Sequence, residues 1–177
     1  MRQVDIGQVR NGFRNVDITN RFDLFDKAFR IQGEFQTYVQ KQWCNPYDGR
    51  HIPAPIKTPQ RCYQKVSRAY GGEFSRLVDI LRATIVFRTV DNLIRAVTAI
   101  SQDANVNILK VKNRFSMNFV EQGGLQSGYR DVCILLYGHR LTEGMIVEVQ
   151  LNLVETFAIK SDEGHRLYKI ARDSIGD

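Results

Sequence analysis

Two stretches of the chain carry polar side chains on what otherwise read as apolar strands. From Met145 to Leu153 the period-two rule sets Ile146, Glu148, Gln150 and Asn152 on one face and Val147, Val149, Leu151 and Leu153 on the other. An acid and two amides on so apolar a strand are costly to bury unless a metal ion, a ligand or a hydrogen-bond network pairs with them. Gly128-Tyr129-Arg130-Asp131-Val132 opens a second such strand, and the two can face one pocket.

Asp79 falls where a short helix runs into the apolar strand that ends at Arg88. A carboxylate there suits a hard cation, since magnesium takes oxygen ligands and needs only one or two carboxylates beside phosphates. The competing reading is a local cap or an ion pair with Arg82. Lys57, Arg61, Lys65 and Arg68 would line one helical face, and like charges so spaced repel by about a few tenths of a kcal/mol per pair. An anion such as a triphosphate or a nucleic-acid backbone would relieve that repulsion; the alternative is a solvated basic face. Lys110, Lys112 and Arg114 crowd a strand end, either solvated or flanking the same region. His165 reads equally as a packing residue or a phosphate contact.

The elements that must position these residues follow from periodicity. Leu24, Ala28, Ile31, Phe35 and Tyr38 recur at helical spacing between Arg21 and Trp43, with Phe22, Phe25 and Phe29 widening the apolar face. The stretch Asn45 to Pro59 holds all four prolines and reads as an irregular loop. Asp91 to Gln102 is a helix with Leu93, Ile94, Val97 and Ile100 on its core side, and Val106 to Val111 is a strand. Strands Tyr129 to Tyr137 and Met145 to Leu153 form a hairpin, and a helix from about Val154 to Arg172 closes the chain. The segment 1–20 is an N-terminal extension, and 21–177 form a single domain.

Composition narrows the function classes. With 177 residues, 43% of them hydrophobic, the chain can bury a core without staples. No apolar run approaches the length of about 18 residues that a membrane span needs, and the N-terminus lacks the apolar centre of a signal peptide, so a cytoplasmic protein without a membrane partner is expected. The three cysteines and three histidines are scattered, which points to neither a disulfide framework nor a zinc site. A formal net charge of +6 favours a polyanionic partner, a nucleotide or a nucleic acid. The glycines between Phe119 and Gly128 match neither the GxxxxGK[ST] nor the GxGxxG pattern.

Taken in order, Val78-Asp79-Ile80, Val111-Lys112-Asn113-Arg114-Phe115, Gly128-Tyr129-Arg130, Glu148-Val149-Gln150 and Gly164-His165 with Tyr168-Lys169 resemble the synthetase domain of the RelA/SpoT family, over roughly Ile56 to Arg172. The resemblance implies an α/β (α+β) fold related to the nucleotidyltransferases: a mixed, largely antiparallel sheet of about five strands flanked by helices. It implies transfer of pyrophosphate from ATP to the 3′-hydroxyl of GDP or GTP, making an alarmone. Asp79 would hold magnesium, and Glu148, beside Gln150, would help bind the metal or activate the acceptor hydroxyl. Lys57 and Lys65 would hold the ATP phosphates, joined on the nucleotide by Arg61, Arg82, Lys112, Arg114, Asn152 and His165, and Tyr129 would stack on the acceptor base. This chain has Leu125, Ser127 and Cys133 where the family's guanosine synthetases have Lys, Asn and His, and Pro55 where they have Arg. The acceptor is therefore open between guanine and adenine nucleotides and the 3′ end of tRNA, as in toxin-like members. A non-catalytic member that binds nucleotide or RNA is the other reading. Homo-oligomers are common among small members.

Overall fold

The computed structural model describes residues 13–15, 18, 20–116 and 129–158. Helix α1 spans Arg21–Tyr38 and continues through a π-helical turn, Val39–Cys44, and a 3-10 turn, Asn45–Tyr47. Its start is a capping box: the Asn20 side chain accepts from the backbone of Asp23, and the Asp23 side chain accepts from that of Asn20. Then follow β1 (Arg50–Pro53), α2 (Pro59–Ala69), a 3-10 turn (Phe74–Arg76), β2 (Arg82–Phe87), α3 (Val90–Gln102), β3 (Asn107–Asn113), β4 (Val132–Tyr137), β5 (Val147–Leu153) and α4 (Val154–Ala158). Of the expected closing helix, the part beyond Ala158 lies outside the described residues.

The strands form one five-stranded sheet in the order β1-β2-β5-β4-β3. Among the described residues only β2 and β5 run parallel; the other neighbours are antiparallel. This is the mixed, largely antiparallel sheet expected from the sequence. The hairpin of β4 and β5 also forms as expected, although β4 begins at Val132.

Three expectations are corrected. The proline-rich segment after Asn45 is no irregular loop, because Arg50–Pro53 pairs with β2 along the sheet edge. Pro53 ends that strand, and at an edge its missing N–H need not break a ladder. Gly49 permits the approach, since a Cβ there would lie 2.8 Å from side-chain atoms of both Ile85 and Phe87. Second, Phe22 and Phe29 point outward, 67% and 65% exposed, so α1 buries the narrower stripe of Leu24, Ala28, Ile31 and Phe35. Third, Ile94 is exposed on α3, and Ala96 takes its place beside Leu93 and Ile100.

One face of the sheet builds the core. Ala83, Val149 and Ile134 lie across from one another on β2, β5 and β4, with Ile85, Leu151 and Val132 in the next row. These residues cluster with the buried stripes of α1 and α3. Burying this much apolar side-chain surface, worth about 1.5–3 kcal/mol for each large residue, is the main term holding the helices on the sheet.

Candidate functional site

The opposite face of the sheet is polar. Cross-strand partners share a face, so the register Arg82↔Glu148, Glu148↔Leu135 and Leu135↔Lys110 makes one row. Thr84, Gln150, Cys133 and Lys112 make the next, and Val86 and Asn152 begin a third. The alternation read from the sequence for β5 thus holds: Val147, Val149 and Leu151 are buried in the core, and Glu148 and Gln150 stand half-buried on the other face. Gln150 Nε2 donates to Glu148 Oε1 at 2.6 Å, which orients the carboxylate.

At the end of this face where β2 and β5 begin, Asp79 sits three residues before β2, with its side chain 16% exposed. Its partner is not Arg82, as one reading of the sequence had it, nor does it cap a helix. Lys57 and Lys65 both donate to Oδ2, Lys65 at 2.9 Å. Lys57 precedes α2, so it does not share the helical face; its own N–H donates to the Ile80 carbonyl at 3.1 Å, which fastens it alongside Asp79. Lys65 projects from α2 and lies 5.4 Å from the Tyr70 ring centre. Arg61 and Arg68 stand exposed on α2, so the basic stripe divides into an inward pair and an outward pair. Asp79 Oδ1 and Arg82 Nε are buried without a hydrogen-bond partner among the described residues.

The charges tune one another. Burial alone would raise the Asp79 pKa, but Lys57 and Lys65 outweigh it and hold the carboxyl below the ordinary aspartate value. The two lysines respond in opposite directions. Burial dominates at Lys57 and lowers its pKa, whereas at Lys65 burial, again the largest single influence, is outweighed by Asp79 and Tyr70 together and the pKa is raised.

Further along, a second carboxylate organises the face. Asp131 is fully buried; Arg114 Nη1 reaches its Oδ1, and the Tyr129 hydroxyl donates to its Oδ2 at 2.8 Å. The same hydroxyl lies 2.9 Å from Asn152 Oδ1. Asn152 is fully buried, and its Nδ2 has no partner among the described residues. Burial, with the Asp131 charge added, pushes the Tyr129 pKa well above the ordinary tyrosine value, so the phenol stays protonated. Burial next to Glu148 and Asp131 likewise pushes the Cys133 thiol up.

The structure therefore gathers Asp79, Lys57, Lys65, Arg82, Glu148 and Gln150 at one end and Tyr129, Asn152 and Arg114 at the other. Lys112 lies on β3 beside Cys133 and is exposed; Arg61 stands apart. His165, Leu125 and Ser127 lie outside the described residues, as do Gly128, Gly164, Tyr168 and Lys169. Two residues that carry the geometry escaped the sequence reading as site residues. Asp131 is legible only as part of a polar strand opening, and Asn15 bears no motif.

Magnesium fits the Asp79 end on the chemistry of its donors. Asp79 Oδ1 is a hard oxygen with no partner among the described residues, and Glu148 offers a second carboxylate from the adjoining strand. Among the described residues no group of three His, Cys, Asp or Glu side chains gathers to hold an ion. Phosphate and water oxygens would complete the shell, which is how magnesium is commonly held. Among the described residues no helix is long and apolar enough to cross a membrane.

No protein-family model matches the sequence, and no curated protein matches it. Solved structures do match. Small alarmone synthetase 1 from Bacillus subtilis superposes with a TM-score of 0.65 at 14% identity, over 85% of this chain and 80% of that one. The same protein has been solved bound to its product pppGpp and to AMPCPP. A GTP pyrophosphokinase family protein from Streptococcus pneumoniae gives a TM-score of 0.64 at 17% identity, over 86% of this chain and 79% of that one. A Type VI effector, solved in complex with its immunity protein, gives 0.58 at 21% identity over 76% of this chain. The match spans 62% of the effector's length. The chain has the fold of the small alarmone synthetases and GTP pyrophosphokinase family proteins, the family its motifs resemble.

Proposed function

We propose that the protein is an ATP-dependent pyrophosphokinase that transfers the β,γ-pyrophosphoryl group of ATP to the 3′-hydroxyl of a purine nucleotide. The acceptor oxygen bonds to the β-phosphorus as the bond from that phosphorus to the α,β-bridging oxygen breaks, and AMP leaves. Glu148, held by Gln150, takes the hydroxyl proton. Lys57, Lys65 and Arg82 bind the phosphates and offset the charge that spreads over them. Phosphoryl-type transfer needs such positioning and charge neutralisation more than covalent help. Magnesium, held by Asp79 and Glu148, would supply further neutralisation of the phosphate oxygens. Tyr129, its hydroxyl tied down by Asp131, offers its ring for stacking on the acceptor base, an interaction on the order of 1–3 kcal/mol that is tolerant of base identity.

The observation that carries this reading is the juxtaposition of Asp79, its two lysines and Glu148 at one end of the parallel β2–β5 pair, on a fold shared with a protein solved bound to pppGpp and to AMPCPP. The test is incubation with ATP and magnesium beside GDP, GTP, ADP, ATP or tRNA, with AMP and the pyrophosphorylated acceptor read by chromatography. AMP and product should appear with at least one acceptor and vanish in Glu148→Gln, whose fold is retained. No AMP in any mixture would overturn the reading. A second reading, that the reaction arrests growth, is favoured by the likeness to a Type VI effector. Its test is induced expression in a bacterial host, where wild type should halt growth and Glu148→Gln should not.

A further inference from the structure

The ladder between the parallel strands begins only at Arg82 and Glu148, although both carboxylate-bearing segments approach from further upstream. Asn15 bridges that gap. It is 3% exposed, and its side chain uses both kinds of polar atom. Nδ2 donates to the Leu77 carbonyl at 2.7 Å and the Ser75 carbonyl at 3.3 Å, and Oδ1 accepts the Ile146 N–H at 2.7 Å. Its own backbone N–H adds a bond of 2.8 Å to the Ser75 carbonyl. Leu77 is two residues before Asp79, and Ile146 is two residues before Glu148.

From this we infer that Asn15 is a positioning residue for the proposed reaction: one buried amide sets the spacing between the segments that carry Asp79 and Glu148. The inference rests on the pyrophosphokinase reading for the roles of those two carboxylates. Both are referenced to the same side chain at equal distance along the chain, so loss of that side chain frees them to move relative to each other. The amide is required by donor count. It gives two N–H donors to two carbonyls and one acceptor to an N–H, whereas an ionised aspartate of the same shape has no donor to offer. Alanine would leave the Leu77 carbonyl and the Ile146 N–H without the partners they have, and buried backbone groups rarely stay unpaired. The segments would then move to find other partners. Displacements of about 1 Å at reacting groups can cost on the order of a hundredfold in rate.

The test compares Asn15→Ala and Asn15→Asp with Leu93→Ala, a core truncation on α3, away from the polar face. All are assayed below their melting temperatures, with folding verified by circular dichroism. Asn15→Ala and Asn15→Asp should lower kcat by about ten- to a hundredfold with KM for both nucleotides within about threefold, while Leu93→Ala, destabilised by its cavity, keeps kcat. A second readout does not depend on turnover. Mn2+ binding in the presence of AMPCPP, followed by electron paramagnetic resonance, should weaken at least fivefold in the Asn15 variants and stay unchanged in Leu93→Ala. Folded Asn15 variants with wild-type kcat and Mn2+ affinity would overturn the inference, as would equal losses in Leu93→Ala. A wild type that binds Mn2+ with AMPCPP yet transfers nothing would overturn the enzymatic reading, and the Mn2+ comparison would then decide the positioning role by itself.

Discussion

Asp79 lies just before β2 and Asp131 just before β4, each paired with at least one cation, and they are built for opposite ends. Asp131 is fully buried, and each of its oxygens has its own partner, Arg114 on one and the Tyr129 hydroxyl on the other. Asp79 is 16% exposed, shares one oxygen between two lysines and leaves the other without a partner among the described residues. Guanidinium is a planar, rigid fork, whereas an ammonium is a point charge on a flexible stem that re-aims readily. The Asp131 cluster is thus a fixture that holds a tyrosine ring still. The Asp79 cluster is a set of exchangeable charges, which a polyphosphate can rearrange by drawing Lys57 and Lys65 to itself.

The largest effect expected from breaking this contrast is at Asp131. Asp131→Ala leaves the half-buried Arg114 charge without its carboxylate, and removing one partner of a buried pair costs about 3–5 kcal/mol. Urea denaturation measures it, and a loss below about 1 kcal/mol would show that the cluster is no fixture. Tyr129→Phe is the milder cut. It keeps the ring and removes the donor to Asp131 Oδ2, leaving a buried acceptor short at a cost of about 1–3 kcal/mol. Under the proposed function the variant still stacks on a base, so its KM for the acceptor should change less than its stability does. A variant as stable as wild type would detach the hydroxyl from the network.

Part of this was open to reading in the chain and part was not. Strict alternation from Val147 to Leu151 exposed the two faces of β5, because a strand's period of two leaves little choice once one face is apolar. The helical repeat of α1 was as plain, but its width was overread: an aromatic residue at the margin of a helical stripe looks the same whether packed or exposed, and Phe22 and Phe29 are exposed. Strand β1 was hidden by its prolines, since edge pairing is decided by what the neighbour offers and local composition does not reveal it. The Asp79 pairing was half legible. All three charges were singled out, yet lysines 22 and 14 residues away in sequence can be assigned to a carboxylate only once the fold has brought them there. Asn15 was beyond reach for the same reason, with partners 62 and 131 residues distant and no periodic neighbourhood of its own.

The smallest expected effect on stability is the most direct test of exchangeable charge. The Asp79 pKa in the folded chain is depressed below its ordinary value, so ionised Asp79 adds stability that is fully present above the ordinary aspartate range, near pH 4, and is lost as the pH falls below it through the depressed value. Asp79→Asn should cost less at pH 7 than Asp131→Ala, because the amide oxygen still accepts from an ammonium and Lys65, a third exposed, can reach water once released, while Lys57, 12% exposed, stays buried. Stability measured from pH 6 down to pH 2.5 should show a shallower acid limb in the variant than in wild type. The same cluster makes a prediction about cations. With two ammonium groups on its one engaged oxygen, Asp79 is a poor ligand for a free divalent ion, and a polyphosphate that recruits the lysines converts it to a good one. Mn2+ should bind wild type weakly alone and at least tenfold more tightly with AMPCPP, beyond the ion's affinity for that nucleotide in solution. Lys57→Met with Lys65→Met should raise the affinity for Mn2+ alone and abolish most of the difference. Equal Mn2+ affinity in wild type and the double variant, without nucleotide, would mean that the lysines do not guard Asp79, and the two carboxylate clusters would then differ in burial without differing in kind.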